Sequence, residues 1–255
     1  MKLSYMTFVC PEWSLERAVR FAVEAGYDGV EIRVDAGHRH GVSSRSTAGD
    51  RKSARQLFRD AGVEIPCVAT SVNFAFPDPG THRENVEAAK ANLMLAADLG
   101  APVVRIFAGG RIPKLTDEAA SQVAAAFDEV GDFAAAAGVC PMLECAHDII
   151  LGAAEAAAVF RRVKTPNFGA LWNHSDMDDA TFAVMQPHIR HFHIHNEVRD
   201  PANANMAGLS ARMKRIGYRG YASLEIIENK NLPEDELKAI AARLRRQIGE
   251  GEARS

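Results

Sequence analysis

The segment RHFHIHNEVRD, residues 190–200, places His191, His193 and His195 at every second position, with Phe192 and Ile194 between them. On a strand, alternate side chains point to opposite faces, so three imidazoles share one face and two apolar groups share the other. Glutamates interrupt other short apolar runs: Glu31 in VEIR, Glu144 in MLEC and Glu225 in SLEII, with Glu228 just past the last. Asn173 closes ALWN, His147 follows MLEC, Asn73 ends a further run, and Arg33 and Arg105 lie inside theirs. Two carboxylates, an imidazole and an amide oxygen from successive strands form a donor set for one hard or borderline divalent cation. Plainer roles compete with this one. A buried glutamate could pair with Arg105, and Arg33 and Arg105 could compensate Glu31. A lone inward histidine is more often a hydrogen-bonded core residue than a ligand. Three on one face, beside strand-end glutamates, favour a site. Trp13 and Trp172 read as packing residues.

The elements that must carry these residues alternate along the chain. YDGVEIRV (27–34) follows the amphipathic SLERAVRFAVEAG, which has Ser14 as N-cap and Gly26 as stop. VEIPCVATS (63–71), APVVRIFAGG (101–110), VCPMLEC (139–145), NFGALWN (167–173), IRHFHIH (189–195) and YASLEII (221–227) read as further strands after KLSYMTFV. Between them lie helical segments such as HRENVEAAKANLMLAADLG, TDEAASQVAAAFDEVGDFAAAAG and PEDELKAIAARLRRQIG. Eight βα units in 255 residues, with no linker, imply parallel strands joined by right-handed crossovers. The expected fold is a single (β/α)8 TIM barrel over residues 1–248, with 249–255 as a frayed tail. A doubly wound sheet is disfavoured because no G-x-G-x-x-G turn follows the first strand. In a barrel the site lies at the C-terminal strand ends, and the histidine face of 191–195 points into the barrel.

Composition narrows the partners. Hydrophobic residues are 47% and charged residues 25%, a balance that buries a large core. The net charge is −3 with no basic block, which argues against nucleic acid, because phosphate binding needs a concentrated cationic face. Cys10, Cys67, Cys140 and Cys145 lack CxxC spacing and read as core residues of a cytoplasmic protein. No apolar run is long enough to span a membrane. The expected partner is a small carbohydrate, and a homo-oligomer is compatible with the sequence.

Several segments together resemble the xylose-isomerase-like TIM-barrel superfamily of sugar isomerases and epimerases: AGYDGVEIR, LGAPVVRIFAGG, PMLE followed by His147-Asp148, PNFGALWN, IRHFHIHN and IGYRGYASLE. The resemblance covers most of residues 1–248. It implies one divalent metal held from strands five to eight, at Glu144, Asn173, His193 and Glu225. The family's strand-six residue is usually Asp in an LWD-x-x-H pattern; here it is Asn173, and the following His position is Asp176. The resemblance also implies that Arg199, just after the strand-seven histidine, grips substrate. The metal is expected to be Mn²⁺, with Mg²⁺, Co²⁺ or Zn²⁺ as alternatives. It is expected to bind weakly, because an amide in place of a carboxylate lowers the formal ligand charge from −3 to −2.

The chemistry this implies is proton transfer next to a carbonyl. Glu144 and Glu225 would flank the substrate carbon and exchange a proton through an enediolate, with His147 as an acid. Asn73, Arg105, Asp176, His195 and Arg199 are the expected substrate contacts. His191 is expected to be structural. Isomerisation and epimerisation lead. Dehydration of an inosose or keto-sugar, cleavage of a C-glycoside, and a non-catalytic polyol-binding barrel are the alternatives.

Overall fold

Short runs rich in Val, Ile and Leu form eight parallel strands in a computed structural model, which describes residues 1–109, 112–200, 205–227 and 231–254. They are β1 (Lys2–Met6), β2 (Gly29–Arg33), β3 (Val68–Asn73), β4 (Val103–Phe107), β5 (Cys140–Cys145), β6 (Gly169–Trp172), β7 (Ile189–Ile194) and β8 (Tyr221–Leu224). Each pairs with the next, and β8 pairs with β1, so the sheet closes into a barrel. The helices are α1 (Leu15–Ala25), α2 (Ala48–Ala61), α3 (Pro79–Leu99), α4 (Asp117–Ala135), α5 (Ala153–Phe160), α6 (Asp179–Met185), α7 (Met206–Arg215) and α8 (Glu234–Ala253). The expected (β/α)8 barrel is the observed fold.

Local signals set the helix ends. Ser14 Oγ accepts from Arg17 N–H, and Gly26 ends α1 at φ 75°, a left-handed conformation that glycine adopts without Cβ strain. Two expected boundaries move. The third strand starts at Val68 rather than Val63, because Pro66 has no N–H to give the ladder. The tail expected to fray from 249 instead continues α8 to Ala253. Gly251 is buried there against α7, where an added Cβ would lie 2.1 Å from the Ala207 carbonyl oxygen.

The main apolar core lies between strands and helices. Phe192 of β7 faces outward onto Tyr218, with ring centres 5.5 Å apart, and Ile194 joins the same core. Inside the barrel, Cys67, Val103, Met142 and Leu171 form a small separate apolar cluster. One strand step further toward the C-terminal end, Val103 gives way to Arg105, Met142 to Glu144 and Leu171 to Asn173. The barrel interior therefore changes from apolar to charged toward the end where barrel sites form. All four cysteines are unpaired, and among the described residues no helix is long and apolar enough to cross a membrane.

Candidate functional site

Four carboxylate–imidazole contacts cross the barrel interior. His193 Nδ1 lies 2.8 Å from Glu225 Oε2 and 3.2 Å from Glu144 Oε1, while its Nε2 lies 3.0 Å from Glu31 Oε1. Glu31 Oε2 is 2.8 Å from His191 Nε2. Glu31, Glu144, His191, His193 and Glu225 are all buried. β2, β5, β7 and β8 thus converge on one imidazole, because alternate residues of every barrel strand point inward.

Electrostatics explain how so much charge stays buried. Burial works against the charged form of His193, but Glu31 and Glu225, with hydrogen bonds to Glu144 and Glu225, hold its pKa well above the ordinary histidine value. The protonated ring donates from both nitrogens to the three carboxylates. Burial raises the Glu144 carboxyl, but Arg105 and then His193 outweigh it and bring it down to about 2. Glu31, likewise raised by burial, is held well below its usual value by His193 and His191. Glu225 is lowered by His193 against burial and against Glu144.

The described residues offer two groups of ligand atoms that lie within 4.8 Å of one another: Glu144, His193 and Glu225, and Glu31, Cys67 and His191. The first fits a divalent cation, with two carboxylate oxygens and one imidazole nitrogen converging below the open end. The second fits poorly. Burial and then Glu31 push the Cys67 thiol far up, which opposes the thiolate a metal needs, and both Glu31 oxygens are already taken by histidines. Asn173 Oδ1 sits 2.6 Å from His195 Nε2, and that nitrogen is 3.8 Å from Glu225 Oε2. His191 and His193 are both buried, at 1% and 0% side-chain exposure, while His195, nearest the C-terminal end of β7, is 15% exposed.

The remaining expected residues take varied positions. Arg105 is not an open substrate contact. It is 2% exposed, donates to Glu144 Oε2 at 2.8 Å and stacks 4.1 Å over the Phe107 ring. Phe107 in turn stacks on His147, with ring centres 4.8 Å apart. Ala146 and Asp148, on either side of His147, have φ of 59° and 54°. Left-handed backbone at two non-glycine residues costs energy, and it turns the chain sharply as it leaves β5. His147 Nδ1 is buried without a protein partner. Asn73, Phe107 and His147 line a cleft of about 910 Å³ with Phe76, Asp78 and Asp148. Asp176 is exposed, and its carbonyl accepts from the Trp172 indole. Arg199 lies on a 3₁₀ turn, Asn196–Arg199, and donates to Glu236 of α8 at 2.8 Å. Glu228 lies outside the described residues.

Glu31 is the participant whose role the sequence did not reveal. Its alternation in VEIR marks it as inward. Compensation by Arg33 and Arg105 is the plainer reading of Glu31, yet its bonds are to His191 and His193. Arg33 instead donates to the carbonyls of Val34 and Ala69 and to Ser71 Oγ.

The xylose isomerase-like TIM barrel family model matches residues 19–247, and the chain belongs to that family. Solved structures with the same fold include D-psicose 3-epimerase in the presence of D-fructose, at 14% identity and TM-score 0.80, covering 98% of this chain and 100% of that one. L-ribulose 3-epimerase aligns at 21% identity and TM-score 0.79, over 98% of this chain and 94% of that one. The IOLI protein with a bound zinc atom aligns at 17% identity and TM-score 0.75, over 98% of both chains. Among curated proteins, none matches the sequence significantly.

Proposed function

We propose that this member of the xylose isomerase-like TIM barrel family binds one divalent cation at Glu144, Asn173, His193 and Glu225 and isomerises or epimerises a small sugar. The observation that carries this proposal is the convergence of the Glu144 and Glu225 carboxylates on one nitrogen of His193, at 3.2 and 2.8 Å. Resemblance to epimerases and to a zinc-containing barrel supports the same assignment. When bound, a divalent cation polarises a carbonyl and stabilises the negative charge that develops on its oxygen.

The chain's own residues divide the proton transfer unequally. Arg105 holds Glu144 as a carboxylate near pKa 2, which makes it a weak base. Glu225 bonds to His193 and lies closer to the opening, so it takes the proton from the substrate carbon. Glu144 reaches the same His193 nitrogen from β5; ionised at rest, it takes up a proton from a substrate hydroxyl or solvent before it delivers one to the opposite face of the carbon, while Glu225 passes its proton to solvent. Glu31 fixes the His193 ring through Nε2, leaving Nδ1 as the nitrogen that would hold a cation between Glu144 and Glu225. The cleft under Phe107 and His147 takes the rest of a polyol, with Asn73 as a hydrogen-bonding group.

One observation favours a lyase as the second reading. The unpartnered His147 Nδ1, held between two left-handed residues, is placed to protonate a leaving hydroxyl. Proton exchange in D₂O tests both readings, because removal of a proton beside the carbonyl begins either reaction. Protein loaded with Mn²⁺ should exchange that proton of an unphosphorylated ketose, read by NMR, and Glu225→Gln should not. Exchange accompanied by loss of water identifies the lyase. Binding of polyols without any exchange, across ketopentoses, ketohexoses and inososes, would overturn the catalytic assignment.

A further inference from the structure

Asp148 lines the cleft of about 910 Å³ together with Asn73, Phe107 and His147, and separate features of the chain fix its position. His147 and Ile150 exchange two main-chain hydrogen bonds, at 3.2 and 3.0 Å, which close a tight turn. Ile149 and Ile150 are buried and anchor that turn, while Asp148 is exposed within it at φ 54°. Gly109, just past β4, completes the arrangement. A Cβ at Gly109 would lie 1.6 Å from Asp148 Oδ2 and 2.5 Å from Oδ1, so the carboxylate rests against main chain that any other residue would cover.

We infer that Asp148 is a specificity-determining residue, whose carboxylate accepts from the hydroxyls of an uncharged polyol and disfavours a phosphorylated one. This rests on the sugar site proposed above and names the class of sugar it takes. Among the described residues nothing donates to the Asp148 carboxylate, so both oxygens keep their full capacity to accept. Two neighbouring sugar hydroxyls satisfy one carboxylate, and hydrogen bonds to a charged acceptor are the stronger kind. Asp78, the other carboxylate of the cleft, is already committed, because it accepts from the Thr81 N–H and hydroxyl at the start of α3. Among the described residues no lysine or arginine lines the cleft. A phosphate placed there would meet two carboxylates with no arginine or lysine to offset them, and like charges brought together select against a ligand.

Proton exchange in D₂O by the Mn²⁺-loaded protein, with D-fructose and its 1- and 6-phosphates as probes, tests this. The wild type should use the free ketose with a kcat/KM at least about tenfold above that of the phosphate ester whose charge falls in the cleft. Asp148→Asn keeps the size of the side chain and tolerates the left-handed backbone. It should raise KM for the free ketose about tenfold while kcat changes less than about threefold, and it should narrow the preference over that ester. Gly109→Ala, which pushes the carboxylate aside without itself offering a polar group, should reproduce the rise in KM. Equal use of free ketose and both esters by the wild type would overturn the inference while leaving the sugar site standing, whether or not either variant folds. So would an Asp148→Asn protein with KM and preference within about twofold of wild type. Absence of exchange with every probe in the wild type would overturn the inference together with the proposed reaction on ketoses.

Discussion

Arg105→Gln removes the cation that keeps Glu144 ionised inside the barrel, and the structure sets the size of the effect. The pair is 2.8 Å apart with side-chain exposures of 2% and 1%. At an effective dielectric of about 20, charges at that distance attract by roughly 6 kcal/mol, before the cost of burying them is subtracted. Depression of Glu144 from its ordinary 4.5 to about 2 gives a second route to the magnitude. That shift is the net of burial against Arg105, His193 and His147, and at about 1.4 kcal/mol per pKa unit it amounts to about 3 kcal/mol at neutral pH, the same order as the roughly 3–5 kcal/mol lost when one partner of a buried pair is removed. Arg105→Gln should therefore lose about 3 kcal/mol at pH 7, a large part of the roughly 5–15 kcal/mol that holds a protein folded. The sign with pH follows from the direction of the shift. A depressed carboxyl stabilises fully above its unfolded pKa of 4.5, and that stability is lost as pH falls toward the folded value of about 2. The gap between wild type and variant should narrow at pH 4 and narrow further at pH 3. Urea unfolding at the three pH values, in EDTA, measures it. A loss under about 1 kcal/mol at pH 7, or a gap that does not narrow with acid, would refute the assignment of Glu144 as a carboxylate held by Arg105.

Two further substitutions test neighbouring parts of the site. Asn173→Asp restores a negative charge beside His195 and Glu225 and should tighten Mn²⁺ binding about tenfold or more, followed by EPR titration. Unchanged or weaker affinity would remove Asn173 from the ligands. Glu31→Gln keeps the shape but cannot accept from both His191 and His193. It should weaken Mn²⁺ binding about 10–100-fold, and an affinity within twofold of wild type in isothermal titration would show that Glu31 does not orient His193.

Much of this protein was legible in the sequence. Alternating apolar runs and capped amphipathic segments are local signals, and eight repeats of them in one chain favour a closed parallel barrel over an open sheet. The two-residue period of a strand separates His191, His193 and His195 from Phe192 and Ile194, and points Glu31, Glu144 and Glu225 inward. Which inward groups touch was decided only in three dimensions. Glu31 and His193 are 162 residues apart in sequence yet share a hydrogen bond, because the stagger of a closed barrel fixes the relative height of facing strands. The pattern along one strand carries no record of that stagger. For the same reason Arg105, one of many inward residues by periodicity, is committed to Glu144, and Arg199 meets Glu236 of α8. His195 shows both levels together. Alternation puts it on the histidine face, but only packing of β6, β7 and β8 brings its Nε2 to Asn173 and Glu225.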